Sequence, residues 1–180
     1  MGDTEITFHD ILGQLENASL NSAEKGNRFE RLMRSYLAVD PQYAEIYEEV
    51  WLWMDYPGRN GRTDTGIDLV AKDKDGSLTA IQCKFFAPTT TVSKGMVDSF
   101  LSASGKQAEF SNRLIISTSD HWGKNAEEAI QDQFPPVARL RAQDLSASPI
   151  NWAQFSIESP EEMERLPHHQ TRKYQREAID

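Results

Sequence analysis

A chain of 180 residues, 38% hydrophobic and 26% charged, holds one ordinary domain with at most a short appendage, and its 4 Trp, 5 Tyr and 8 Phe can fill a core. That composition excludes disorder, no run is long and apolar enough for a membrane span, and the N-terminus lacks the basic and apolar regions of a signal peptide; a soluble cytoplasmic protein, with no membrane partner, is expected. One cysteine, Cys83, and 4 histidines exclude an internal disulfide and a zinc cage. The net charge of −9 argues against a stand-alone nucleic-acid binder. It is unevenly spread, however: residues 1–50 carry 10 acids and 4 bases, whereas residues 51–110 carry 7 of each. Such a chain would act on DNA that a larger partner or a linked domain holds in place.

Phe8, Ile11, Leu12 and Leu15 predict a short amphipathic helix over Phe8–Ala18, and Asn21 with Glu24 predicts a capped start for a second. Phe29, Leu32, Met33, Tyr36 and Leu37 carry that second helix to a stop near Asp40-Pro41. Val50–Met54 has strand composition, and the polar segment Pro57–Gly66 reads as a loop. The tryptophans Trp51 and Trp53 are core residues or, alternatively, a platform on which bases stack. Two strands follow, Ile67–Lys72 and Leu78–Phe86, joined by the hairpin turn Asp73-Lys74-Asp75-Gly76. A helix over Ser93–Ser104, a buried strand Arg113–Thr118, a helix Asn125–Gln133 and a strand Val137–Arg141 complete the pattern. The order predicts an α/β fold, a mixed central sheet of about five strands flanked by helices.

Hairpin arithmetic sharpens the expectation. With the turn centred near Asp75, opposed residues sum to about 150, so Asp68 lies across from Gln82. Alternation then places Asp68, Val70, Ala80, Gln82 and Lys84 on one face, and Ile67, Leu69, Ala71, Ile81, Cys83 and Phe85 on an apolar face turned to the core. A carboxylate, an amide and an ammonium converge in a sheet that is otherwise buried. Such a cluster is costly unless its members serve one another or a metal. A structural Asp68–Lys84 ion pair would account for part of it. Phosphodiester hydrolysis accounts for all of it: Asp68 as central ligand of a divalent cation, the Gln82 side-chain oxygen and the Cys83 backbone carbonyl completing its shell, and Lys84 beside the attacking water. Glu30, on the second helix but off its apolar stripe, would add a carboxylate.

In these residues the chain resembles the Mrr-like branch of the PD-(D/E)xK nuclease superfamily. The matching segments are Gly26-Asn27-Arg28-Phe29-Glu30, Gly66-Ile67-Asp68 and Ile81-Gln82-Cys83-Lys84. The departure is Gln82, where the superfamily usually has Asp or Glu and the Mrr-like branch has glutamine. Val50–Trp53, Asp64–Ala71 and Ala80–Lys84 further resemble the N-terminal nuclease region of type ISP restriction-modification enzymes. Arg172–Ile179 is similar to the segment that begins their helicase-like ATPase domain. The resemblance implies a restriction-endonuclease-like nuclease domain over residues 1–158, and over 159–180 a linker with the start of a helicase-like ATPase domain. It also implies double-stranded DNA as substrate, Mg²⁺ (or Mn²⁺) as cofactor, and a second nuclease copy for cutting both strands. Arg59 and Arg62 in the loop and Lys94 and Lys106 flanking the following helix are the candidate DNA contacts. His121 is a proton shuttle or, alternatively, part of a capped turn. The rival reading is a catalytically silent nuclease-like module that binds DNA or docks onto a helicase.

Overall fold

The computed structural model describes residues 6–18, 21–63 and 66–152. The expected linker and ATPase start at 159–180 lie outside the described residues. Six helices and five strands are described: α1 (Phe8–Ala18), α2 (Ser22–Val39), α3 (Pro41–Ile46), β1 (Tyr47–Leu52), β2 (Leu69–Asp73), β3 (Leu78–Lys84), α4 (Lys94–Gly105), β4 (Phe110–Ser117), α5 (Lys124–Ile130), β5 (Val137–Leu140) and α6 (Ala142–Ser146). Among the described residues no helix is long and apolar enough to cross a membrane.

The strands form one sheet in the order β1-β2-β3-β4-β5. β1, β2 and β3 are antiparallel, whereas β4 and β5 run parallel to β3 through the crossover helices α4 and α5. The hairpin register is the expected one. Lys72 pairs with Leu78, Ala71 with Thr79, Val70 with Ala80 and Leu69 with Ile81. Gly76, at φ +92°, supplies the left-handed backbone of the turn and donates its N–H to the Asp73 carbonyl.

Both faces of the sheet are covered. Leu69, Ala71, Ile81, Leu114 and Ile116 pack under α1, α2 and α6, while Val70, Ala80 and Ile115 pack under α4, Trp53 and Tyr56. This is the expected sheet flanked by helices, and the face that carries Val70 and Ala80 is buried like the other. The placement of Ile67 is corrected, because it joins Val70 and Ala80 rather than Leu69. The chain bends at Gly66 and the regular β2–β3 ladder begins only at Leu69, so strict alternation does not reach back to Ile67.

Local chemistry explains the ends of the elements. Asn21 caps α2 by accepting the Glu24 N–H at 2.8 Å. Asp40 ends α2 and starts α3, its carboxylate accepting the N–H groups of Gln42 and Tyr43 and the Ser148 hydroxyl at 2.6 Å. Trp152 stacks on Tyr36 with ring centroids 5.9 Å apart and lies 5.0 Å from Phe8, so the last described turn closes onto the first helix. Trp53, expected in a strand, opens a 3-10 turn and is a core residue, while Trp51 is half-buried beside Tyr56. Arg113, 2% exposed, donates to the carbonyls of Leu101 and Pro135, to Ser104 and to Gln133, tying β4 to α4 and to the loop before β5.

Candidate active site

Asp68 stands just outside the regular β2–β3 ladder. Its N–H donates to the Ile81 carbonyl at 2.9 Å and its own carbonyl accepts the Trp53 N–H at 2.9 Å, so the main chain is fixed on both sides. The next amide of β3, that of Cys83, donates instead to the Asp68 side chain, Oδ2, at 2.8 Å. A carboxylate thus replaces the strand's main-chain partner where β2 and β3 separate. The expected pairing of Asp68 with Gln82 holds only in number, since Asp68 stands one residue beyond the regular ladder.

Gln82 is 3% exposed. Its Nε2 donates to the Gly66 carbonyl at 3.3 Å, but its Oε1 is buried with no hydrogen-bond partner. An unsatisfied buried oxygen costs about 1–3 kcal/mol unless something binds it. Gly66 adopts φ +82°, and a Cβ there would sit 4.0 Å from the Phe100 Cα; the loop that delivers Asp68 therefore turns sharply against α4.

Lys84 is half-buried at the last position of β3 and, by alternation, shares its face with Ala80 and Gln82. Glu30 and Cys83 approach from the side of α2, where Phe29 meets Phe85 edge-on at 5.5 Å. The Cys83 thiol is pushed well above the usual thiol range, first by burial and then by the carboxylates of Asp68 and Glu30. That shared influence brings the helix carboxylate into the neighbourhood of the strand residues. Among the described residues no three His, Cys, Asp or Glu side chains cluster as a metal site. A cation here would rest on a mixed oxygen set: carboxylate, the orphaned Gln82 oxygen and a main-chain carbonyl. Hard divalent ions accept such donors, and the buried unpartnered Oε1 fits one.

The four expected DNA-facing cations differ in their surroundings. Arg62 turns inward: it pairs with Glu109 at 2.7 Å, donates to Gln107, to the Arg59 carbonyl at 2.9 Å and to the Gly58 carbonyl at 2.8 Å, and lies over the Trp53 ring at 5.2 Å. Glu109 also accepts the Tyr56 hydroxyl at 2.6 Å, so this cluster fastens the loop rather than facing outward. Arg59 donates to the Arg62 carbonyl at 2.8 Å. Lys94 pairs with Asp98 at 3.1 Å at the start of α4, and Lys106 caps its far end, about 18 Å away for 12 residues. His121 is exposed, its backbone N–H donating to Ser119 Oγ at 3.2 Å, with Trp122 half-buried beside it.

Comparison with known proteins follows the same lines. The family model described as restriction endonuclease matches residues 38–162. The ATP-dependent Type ISP restriction-modification enzyme LlaBIII bound to DNA is similar at 35% identity and a TM-score of 0.70, over 87% of this chain and 9% of that one. The chain therefore spans less than a tenth of that enzyme's length. More distant likenesses are the MspJI restriction endonuclease in complex with a 27-mer oligonucleotide (19% identity, TM-score 0.49, covering 79% of this chain and 32% of that one) and the DNA modification-dependent restriction endonuclease AspBHI (16%, 0.49, 76% and 33%). No curated protein matches the chain.

Proposed function

This chain belongs to the restriction endonuclease family, and from that premise we propose that it is a metal-dependent endonuclease unit that hydrolyses phosphodiester bonds of double-stranded DNA within a type ISP-like restriction-modification enzyme. The observation that supports the reading is the Asp68 carboxylate held on the Cys83 amide, next in sequence to Gln82, whose buried Oε1 has no hydrogen-bond partner. Asp68, Gln82 Oε1 and the Cys83 carbonyl would hold a divalent cation, Mg²⁺ or Mn²⁺, with Glu30 as a further carboxylate directly or through a water. When bound, such an ion polarises the phosphate and makes a water more acidic. Lys84 orients the attacking water and offsets negative charge as it develops on the phosphate oxygens. Asp68, held by the Cys83 N–H, has its carboxylate fixed before an ion arrives, which lowers the reorganisation needed at reaction.

One site of this kind cuts one strand. Cutting both requires a second copy, brought by a converging or dimerising complex. The chain's net charge of −9 makes a linked helicase-like ATPase domain the natural holder of the DNA, and Arg59, Lys94 and Lys106 are left as peripheral phosphate contacts. The DNA substrate puts this activity in the cytoplasm.

Nicking of supercoiled plasmid by the intact protein tests the reading. Cleavage is expected with Mg²⁺ and not with EDTA, and Asp68→Asn or Lys84→Ala should lower it by about 10³-fold or more while DNA binding changes little. Unchanged cleavage in Asp68→Asn would overturn the assignment. A second reading, a silent docking module, draws on the net charge of −9 and on Gln82 standing where a carboxylate is usual; it predicts that the intact protein never nicks DNA and that Asp68→Ala leaves its biological activity untouched.

A further inference from the structure

The run Ser117-Thr118-Ser119 at the end of β4 is buried, each residue at most 1% exposed, although three consecutive hydroxyl side chains have no place in a purely apolar core. Ser117 Oγ donates to the Ser119 carbonyl at 2.9 Å, and Ser119 Oγ donates to the Thr90 carbonyl. Thr118 makes the more telling set. Its N–H donates to the Lys84 carbonyl at 3.1 Å, while its Oγ1 accepts the Phe86 N–H at 2.7 Å and donates to the Phe86 carbonyl at 2.6 Å.

The regular β3–β4 ladder closes with Lys84 opposite Ser117. Beyond that pair no strand backbone remains to hold β3, and a terminal strand residue ordinarily frays. One threonine hydroxyl makes the two main-chain bonds to Phe86 that a further ladder residue would have made. The main chain is thereby fixed both at Lys84 and two residues after it. A lysine side chain has four rotatable bonds, so the direction of its ammonium depends first on a fixed Cα–Cβ vector.

We propose that Thr118 is a positioning residue for Lys84: it extends the sheet by one side-chain step and so aims the lysine at the site proposed around Asp68 and Gln82. The proposal rests on the reading of Lys84 as part of the active site. It explains why a buried hydroxyl, rather than Val or Ile, stands at the first position past β4. Misplacement of a reacting group by about 1 Å can cost 10²-fold in rate, which sets the scale of the effect.

The test compares Thr118→Val, nearly isosteric but without the hydroxyl, and Thr118→Ser, which keeps it, with Lys84→Ala, all in the intact protein on supercoiled plasmid. Thr118→Val is expected to lose kcat by about tenfold or more with KM for DNA within about twofold, and Thr118→Ser to restore most of the rate. The shape of the pH–rate profile should change in Thr118→Val and return in Thr118→Ser, whereas a simple loss of folded enzyme would scale the profile without reshaping it. Should Thr118→Val fail to fold, Thr118→Ala, smaller and equally without the hydroxyl, takes its place. Wild-type rates and profile in the hydroxyl-free variant, with Lys84→Ala inactive, overturn the positioning role alone. Full activity in Lys84→Ala overturns both this proposal and the assignment beneath it.

Discussion

The Asp68 carboxylate accepts the Cys83 amide at 2.8 Å, standing in for a strand neighbour at the point where two strands part. One residue thus has a structural bond and a proposed ligand role, and the two can be separated. Asp68→Asn retains an oxygen acceptor and should unfold in urea within about 1 kcal/mol of wild type, whereas Asp68→Ala leaves the Cys83 N–H unpaired and should lose about 1–2 kcal/mol. Cleavage should vanish in both. Equal stability of the two variants would mean that the bond contributes nothing to the fork.

Gln82 should show the opposite trade. Gln82→Leu removes the buried, unpartnered Oε1 but also the 3.3 Å donor to the Gly66 carbonyl; the two effects offset, so the variant is expected to unfold within about 1 kcal/mol of wild type while losing about 10²-fold or more in cleavage. Gln82→Glu adds a carboxylate beside Asp68 and should lower the Mg²⁺ concentration for half-maximal nicking. Nicking rates across a Mg²⁺ titration check both.

Cys83 fixes a pH dependence. Its thiol is held well above the usual range in the folded chain, by burial first and then by Asp68 and Glu30. The unfolded thiol ionises near its ordinary value, so above about pH 8.5 the unfolded state binds fewer protons and stability falls as pH rises. Below that value the thiol contributes no slope. Urea midpoints measured from pH 7 to 9.5 should therefore decline at the alkaline end, and less steeply in Cys83→Ala. Iodoacetamide should also label the native thiol at least about tenfold more slowly than the denatured one.

Arg62 and Arg59 should part company. Arg62 binds Glu109, Gln107 and two carbonyls of its own loop, so Arg62→Ala is expected to cost about 1–2 kcal/mol of stability and to leave the salt slope of DNA binding unchanged. Arg59→Ala should do the reverse, lowering that slope by about 1. Filter binding across a salt series, with parallel urea melts, decides it.

Arg113 offers the largest stability effect. Four groups accept from its 2%-exposed guanidinium, and Arg113→Met would strand them, at about 3 kcal/mol or more. Arg113→Lys should recover little, because an ammonium cannot reproduce the fork.

The hairpin register was readable because Gly76 fixes the turn and a period of two fixes everything after it. The same rule misplaced Ile67, since the chain bends at Gly66 and the Asp68 side chain takes up the Cys83 amide, which no alternation pattern encodes. α1 and α2 were readable from their apolar stripes. α3 and α6, of 6 and 5 residues, were not, because each depends on one aspartate cap, Asp40 or Asp144, rather than on periodicity. The inward turn of Arg62 was equally hidden, its partners Gln107 and Glu109 lying some 45 residues away. Of the candidate site, Asp68, Gln82 and Lys84 could be gathered from the turn alone, and Glu30 from the resemblance. Thr118 belonged to a run noted for its polarity, but its bond to Phe86 spans 32 residues and requires the parallel crossover.

The packing of Trp152, stacked on Tyr36 and tilted against Phe8, has a mechanical corollary. It clasps the last described turn to the first described helix, so a pull on either is borne by packed rings before it reaches any strand of the sheet.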